Sequence, residues 1–138
     1  MTEVSLPPLH ELEPAPRRNG FRIAPRSWPG PADAASPVFQ LGAAKLWRAW
    51  MDFAAGQPRM ALRAWDEHDW RSLHVQRSPV LRFPDLVRAE IVALGADRSS
   101  LILDSRARFG WWDLGVNRRR ILRWVHDLQQ ITGRESGG

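Results

Sequence analysis

The sequence predicts an α+β fold, a two-layer sandwich. Two helices pack on one face of an antiparallel sheet of four to five strands, and a proline-rich extended N-terminal arm precedes them. Three observations carry this expectation. Apolar residues recur at helical spacing over 42–55 and again from Leu114 onward. Between those stretches the period drops to two, the mark of half-buried strands. Eight of the eleven prolines, at 7, 8, 14, 16, 25, 29, 31 and 37, lie in the first 37 residues. Each removes a backbone donor and fixes φ, so regular structure is not expected to run through them.

The expected divisions are an arm over 1–37, one domain over 38–133 and a disordered tail over 134–138. The arm holds the apolar anchors Phe21, Ile23 and Trp28, which a purely solvated linker would not need. Such an arm wraps either its own domain or a partner, and it is expected to add more to docking than to the fold. Val38–Leu41 reads as a short strand. Ala43, Leu46, Trp47, Trp50, Met51 and Ala54 make one helical stripe, which Gly56-Gln57-Pro58 ends.

Four alternating segments follow: Met60–Trp65, Leu73–Ser78, Val87–Ala93 and Leu101–Arg108, with a turn at Gly95-Ala96-Asp97-Arg98-Ser99. Alternation puts Asp104, Arg106 and Arg108 on an outer, polar face, together with Arg88, Glu90, His74 and Gln76. The last helix is expected over about Leu114–Ile131. Its stripe is Ile121, Trp124, Val125, Leu128 and Ile131, and Gly133 stands where a glycine would stop it.

Composition excludes several classes of function. With no cysteine there is no disulfide, thiolate metal site or cysteine nucleophile. His10, His68, His74 and His126 show no metal-ligand spacing, so no metal and no cofactor are expected. Asp66-Glu67-His68-Asp69 reads as a solvated hairpin loop. No serine lies in a nucleophile elbow. No apolar run approaches the roughly 20 residues that span a bilayer. Met1–Arg18 lacks the basic start and apolar run of a signal peptide, so cytoplasmic residence is expected. The net charge of +5 comes almost wholly from arginine, Lys45 being the single lysine. Charge and eight tryptophans suit polyanion contact, yet no nucleic-acid module is present and specific nucleic-acid binding is not expected.

The most distinctive segment is Phe83-Pro84-Asp85 followed by Ser105-Arg106-Ala107-Arg108-Phe109-Gly110-Trp111-Trp112-Asp113-Leu114-Gly115-Val116-Asn117-Arg118-Arg119-Arg120. It joins a charged strand end, a turn and a helix start. Asp113 is placed to cap the last helix. Arg118, Arg119 and Arg120 crowd its first turns, where the macrodipole disfavours cations, so carboxylates or an external anion must compensate. Asp85, Asp104, Arg106, Arg108, Asp113, Asn117, Arg118 and Arg120 therefore form either an internal Arg–Asp network or an anion pocket.

These motifs resemble the domain-of-unknown-function 1499 family of small bacterial and plastid proteins. The resemblance runs from about Phe21 to Leu128 and is strong from Phe83. It implies no catalytic residues. Relatives usually carry serine where Ala107 stands, tyrosine at Trp111 and a small polar residue at Trp112. The paired Trp111 and Trp112 instead suggest a larger apolar contact, in the core or at an interface.

The expected function is a non-catalytic binding or accessory protein on a larger assembly, one that a membrane can hold. Its docking residues are Phe21, Ile23, Trp28, Trp111 and Trp112, and its partner is a protein. The alternative is a binder of, or enzyme on, a small anionic ligand at the Arg106–Arg120 junction.

Overall fold

The computed structural model describes residues 2–16, 18–109 and 113–136, the last three by backbone alone. In chain order the elements are β1 (Thr2–Glu3), a 3-10 turn (Leu9–Glu11), β2 (Gly20–Ala24), β3 (Ala34–Ala35) and α1 (Ala43–Ala55). Then come β4 (Met60–Asp66), β5 (Arg71–Arg77), β6 (Pro84–Gly95), β7 (Arg98–Ala107) and α2 (Val116–Ser136). The fold class is α+β, with both helices on one face of a single sheet.

The sheet corrects the expected count and direction. It has seven strands in the order β1-β4-β5-β6-β7-β2-β3. The four central hairpin strands and β2 are antiparallel, whereas β1 joins β4 and β3 joins β2 in parallel. Three of the seven strands come from residues 1–37. The prolines forbid long strands there but leave gaps between them, and Gly20–Ala24 is a proline-free gap long enough to pair with β7. Gly20 is required at the entry to β2. A Cβ there would stand 2.8 Å from the Ser105 carbonyl oxygen and 2.9 Å from the Arg106 Cβ. The expected strand at Val38–Leu41 reduces to a single bridge, Phe39 with Ser99.

The core lies between the sheet and the helices. α1 buries Leu46, Trp47, Trp50 and Ala54, and α2 buries Ile121, Trp124, Val125 and Leu128. They meet Ile23, Val87, Ala89, Ile91, Leu101 and Leu103 from the sheet. Trp50 and Trp124 lie 6.1 Å apart at 58°, and Phe53 meets Trp124 edge-on at 6.1 Å. Such aromatic contacts add to area burial. The Trp50 indole donates to the Ser72 hydroxyl at 2.9 Å, which keeps its polar end satisfied.

α2 is longer than its apolar stripe suggests. It passes Gly133 and runs to Ser136, so residues 134–136 are helical rather than a tail. Ile131 is exposed, and Thr132 takes the buried position, donating its hydroxyl to the Leu128 carbonyl at 2.8 Å. A self-satisfied threonine can sit where periodicity expects an aliphatic side chain.

The larger correction concerns the outer face of the sheet. His74 and Gln76 do not point there. His74 pairs in register with Val87, which pairs with Ser105, and all three face the helices. Arg71, Leu73 and Val75 take the outer face instead. Nor is that face wet, because residues 2–16 run back across it. Leu9 is buried there against Ala24 and Ile102, with Leu12, Trp28 and Val92 around them. Alternation of apolar and polar residues reports burial only when one face is solvated. A chain segment that dries the second face removes that signal.

Candidate functional site

The sheet divides the residues of the Arg106–Arg120 junction into two groups on opposite faces. On the helix face, Arg120 donates from Nη1 to Asp85 Oδ2 at 2.7 Å, to Asn117 Oδ1 at 2.6 Å and to the Ser105 hydroxyl at 3.1 Å. The Ser105 hydroxyl in turn donates to Asn117 Oδ1 at 2.5 Å. Asn117 and Ser105 are fully buried and Arg120 is nearly so. Asp113 receives the helix start: the Gly115 amide at 2.8 Å, the Asn117 amide at 3.2 Å and the Asn117 side-chain amide at 2.8 Å. Gly115 adopts a φ of +79°, which only glycine takes without cost. The group is a closed network that locks β6 and β7 to α2, with Asp85 compensating the Arg120 charge near the positive end of the helix dipole.

Asp104 and Arg106 belong to the other face. Asp104 is buried and receives Arg22 Nε at 2.8 Å, Arg106 Nε at 2.8 Å and Arg106 Nη2 at 2.9 Å. Sequence reasoning missed Arg22, because it reads as one charge in a proline-rich arm. Arg22 is 1% exposed, passes its Nη2 to the Leu12 carbonyl at 2.9 Å, and lies 5.6 Å over the Trp28 ring. Arg71 bonds Glu90 at 3.1 Å and the Leu6 carbonyl at 2.8 Å. Glu90 accepts the Leu9 amide at 2.9 Å, Asp66 accepts the Leu6 amide at 2.9 Å, and Arg106 reaches the Glu13 carbonyl at 2.9 Å. The arm is thus a strap whose backbone groups are satisfied by the charged outer face.

Of the expected solvated loop, Glu67, His68 and Asp69 are exposed, but the Asp66 carboxyl is buried at the end of β4. Burial raises its pKa, but amides of Leu6, Asp69 and His68 and the Arg71 charge outweigh this and hold it below the usual carboxylate value. His74 is buried between sheet and helices, edge-on to Trp50 at 5.7 Å, with no partner for Nδ1. Burial alone lowers its pKa to about 4, so the ring is neutral.

The remaining expected site residues fall elsewhere. Arg108 is exposed beyond the end of β7 with its guanidinium 5.2 Å over Phe109, and Arg118 is exposed with its guanidinium 5.9 Å over Phe21. Ile23 is 2% exposed in the core, and Phe21 and Trp28 are half-buried against the domain's own clusters. As docking anchors they have little surface to offer a partner. Trp111 and Trp112 lie outside the described residues.

At the junction's end of the sheet the Arg108 amide donates to the Pro84 carbonyl at 3.1 Å, joining the described segments that precede β6 and follow β7. They expose Val80 (85%), Leu81 (67%), Phe83 (58%), Phe109 (63%) and Leu114 (69%). Away from it, an open hollow of about 910 Å³ beside α1 is lined by Lys45 and Arg48 but also by Asp52 and Asp97. Its charges are balanced. Among the described residues no cluster of three or more His, Cys, Asp or Glu could hold a metal ion, and no helix is long and apolar enough to cross a membrane.

A family model described as a protein of unknown function (DUF1499) matches residues 13–128, most of the chain. No curated protein matches it.

Proposed function

The chain belongs to the DUF1499 family, and from that premise and the geometry above we propose that it is a non-catalytic accessory protein that docks on a larger protein assembly. The single observation that carries this reading is the exposure of Val80, Leu81, Phe83, Phe109 and Leu114 on the two segments that leave this end of the sheet, its apolar tip. Large apolar side chains exposed together on neighbouring segments mark an interaction site. Arg82 and Leu114 within it hold positive φ values of 61° and 56°, a strain that non-glycine residues keep only where the surroundings enforce it.

Charge names the partner's chemistry. Arg82, Arg108, Arg118 and Arg119 are exposed around the tip. The nearby carboxylates of Asp85 and Asp113 are engaged within the junction network. The fitting surface is therefore a protein with an apolar centre and an acidic rim. An anion pocket on the helix face of the junction receives no support, because Arg120 already has Asp85, Asn117 and Ser105 as partners.

Affinity purification from the native organism tests the reading, with the wild type beside a Leu81→Asp/Phe83→Asp/Phe109→Asp variant. These side chains are exposed, so the thermal midpoint should hold while the co-purifying proteins disappear. A wild type that runs as a lone monomer in native extracts, or a variant that keeps the same partners at full yield, overturns it.

A further inference from the structure

Beneath the strap, on the outer face of the sheet, the charges do not balance. Arg88 and Arg22 stand on either side of Asp104 in register, in adjacent strands. Arg106 reaches the same carboxylate. Three guanidinium groups thus share one acid, and Asp104 already takes its hydrogen bonds from Arg22 and Arg106. Nη1 of Arg88 and Nη1 of Arg22 are both buried with no partner. Arg22 is nevertheless paired with Asp104, so the half-buried Arg88 is the guanidinium left without a carboxylate, and a desolvated cation without a partner is costly. The nearby buried or half-buried acids are engaged, Glu90 by Arg71 and the Leu9 amide and Asp66 by the Leu6 amide, while Glu11 is exposed to solvent.

A cavity of about 270 Å³ opens between the strap and the sheet, with Arg88 in its wall. Leu6, Pro7, Pro8, Leu9, Leu12 and Leu73 make most of the rest of the wall apolar, and its other charged members are Arg71, already paired with Glu90, and the exposed Glu11. An apolar hollow with one unsatisfied guanidinium is complementary to a small amphiphile with a single planar anionic head. Guanidinium geometry matches a carboxylate through two parallel N–H donors. We propose that this cavity binds a small aliphatic or aromatic carboxylate, its head on Arg88 and its tail along the prolines and leucines of the strap. The site is separate from the docking tip and independent of it. The strap supplies most of the apolar wall, so occupancy would tighten it on the sheet.

Calorimetric titration of the full chain with octanoate tests this, with octanol and inorganic phosphate as comparison ligands. Octanoate should bind saturably and raise the thermal midpoint. Octanol, lacking the charge, should bind at least about tenfold more weakly, and phosphate, lacking the tail, should not bind measurably. Arg88→Met should lose at least about tenfold in octanoate affinity, while its own midpoint without ligand stays level or rises, since an unpaired buried charge is gone. The ligand comparison uses wild-type protein alone and decides the matter even if that variant fails to fold. Absence of octanoate binding, equal binding of octanol, or unchanged binding by folded Arg88→Met would overturn the proposal. Phosphate binding as tight as octanoate would overturn the amphiphile and leave a plain anion.

Discussion

Asp113 shows how much one side chain can organise at a helix start. It accepts two backbone amides and one side-chain amide across a turn whose glycine is left-handed. Asp113→Ala should cost about 1–2 kcal/mol, and Asp113→Asn less, because an amide oxygen still accepts. Chemical denaturation reads this directly, and an unchanged midpoint for the alanine variant would refute it. The buried pair of Arg22 and Asp104 should be far more sensitive. Asp104→Ala strands guanidinium groups in a dry face and should cost about 3–5 kcal/mol, whereas Arg22→Met/Asp104→Leu should recover only part of that loss, because Arg106 still lacks its carboxylate. A double variant no better than the single would show that the pair itself stabilises. His74 adds a pH dependence of known sign. Its folded pKa, about 4, lies below the ordinary histidine value of 6.5, so the unfolded chain binds the extra proton. The stability is complete above pH 6.5 and is lost as pH falls from there towards 4, by about 3 kcal/mol in total. Asp66 titrates below that window, its folded pKa being lowered from 3.8. Comparing denaturation midpoints at pH 7 and pH 5 for wild type and His74→Phe should show the wild type losing more. Parallel losses would mean that His74 takes up its proton in the fold.

At the scale of elements, the residues that were legible are those with one wet neighbour face. The stripe of α1 at Leu46, Trp47, Trp50 and Ala54 declares a helix on a core, and Val87, Ala89 and Ile91 declare a strand with one buried side. The junction motif declares its cap through Asp113. What stayed illegible shares one physical cause, the strap. Once residues 2–16 dry the outer face, Leu73 and Val75 can sit outward while Ser72, His74 and Gln76 face the helices, held by Trp50 and by the Pro58 carbonyl. The same covering hid the role of Arg22, whose partner is 82 positions away in sequence. A bulge in β4 between Leu62 and Ala64 shifts the parity again and turns Trp65 inward. The strap makes a direct prediction. Deleting residues 1–12 removes buried Leu9 and the backbone partners of Asp66, Glu90, Arg71 and Arg22, and should cost more than about 3 kcal/mol. It should also create binding sites for an apolar dye on the uncovered face. A truncated chain with an unchanged thermal midpoint would mean that the strap rests on the sheet without stabilising it.

At the scale of the whole molecule, the question is what a net charge of +5 and a sequence pI near 11.3 accomplish. Net charge alone promotes contact with any polyanion. How strongly depends on how many cations are free to meet phosphates together. Here several arginines are spent inside: Arg22, Arg71, Arg106 and Arg120 are all in ion pairs with the chain's own carboxylates. Exposed cations such as Arg48, Arg63 and Arg98 come from separate elements, and Asp52, Glu67 and Asp97 are exposed among them. Arg82, Arg108, Arg118 and Arg119 are exposed on or next to the segments that also expose Val80, Leu81, Phe83, Phe109 and Leu114, a surface that a phosphate backbone does not complement. The expected outcome is therefore weak, sequence-independent retention on duplex DNA or heparin at low salt, released as ionic strength approaches the physiological range. The logarithm of the association constant should fall with the logarithm of salt at a slope reflecting about two to four phosphate contacts. A fluorescence titration over several salt concentrations measures that slope. Tight binding at physiological salt that survives excess competitor would require a continuous basic surface, and would overturn the assignment of the tip to a protein partner.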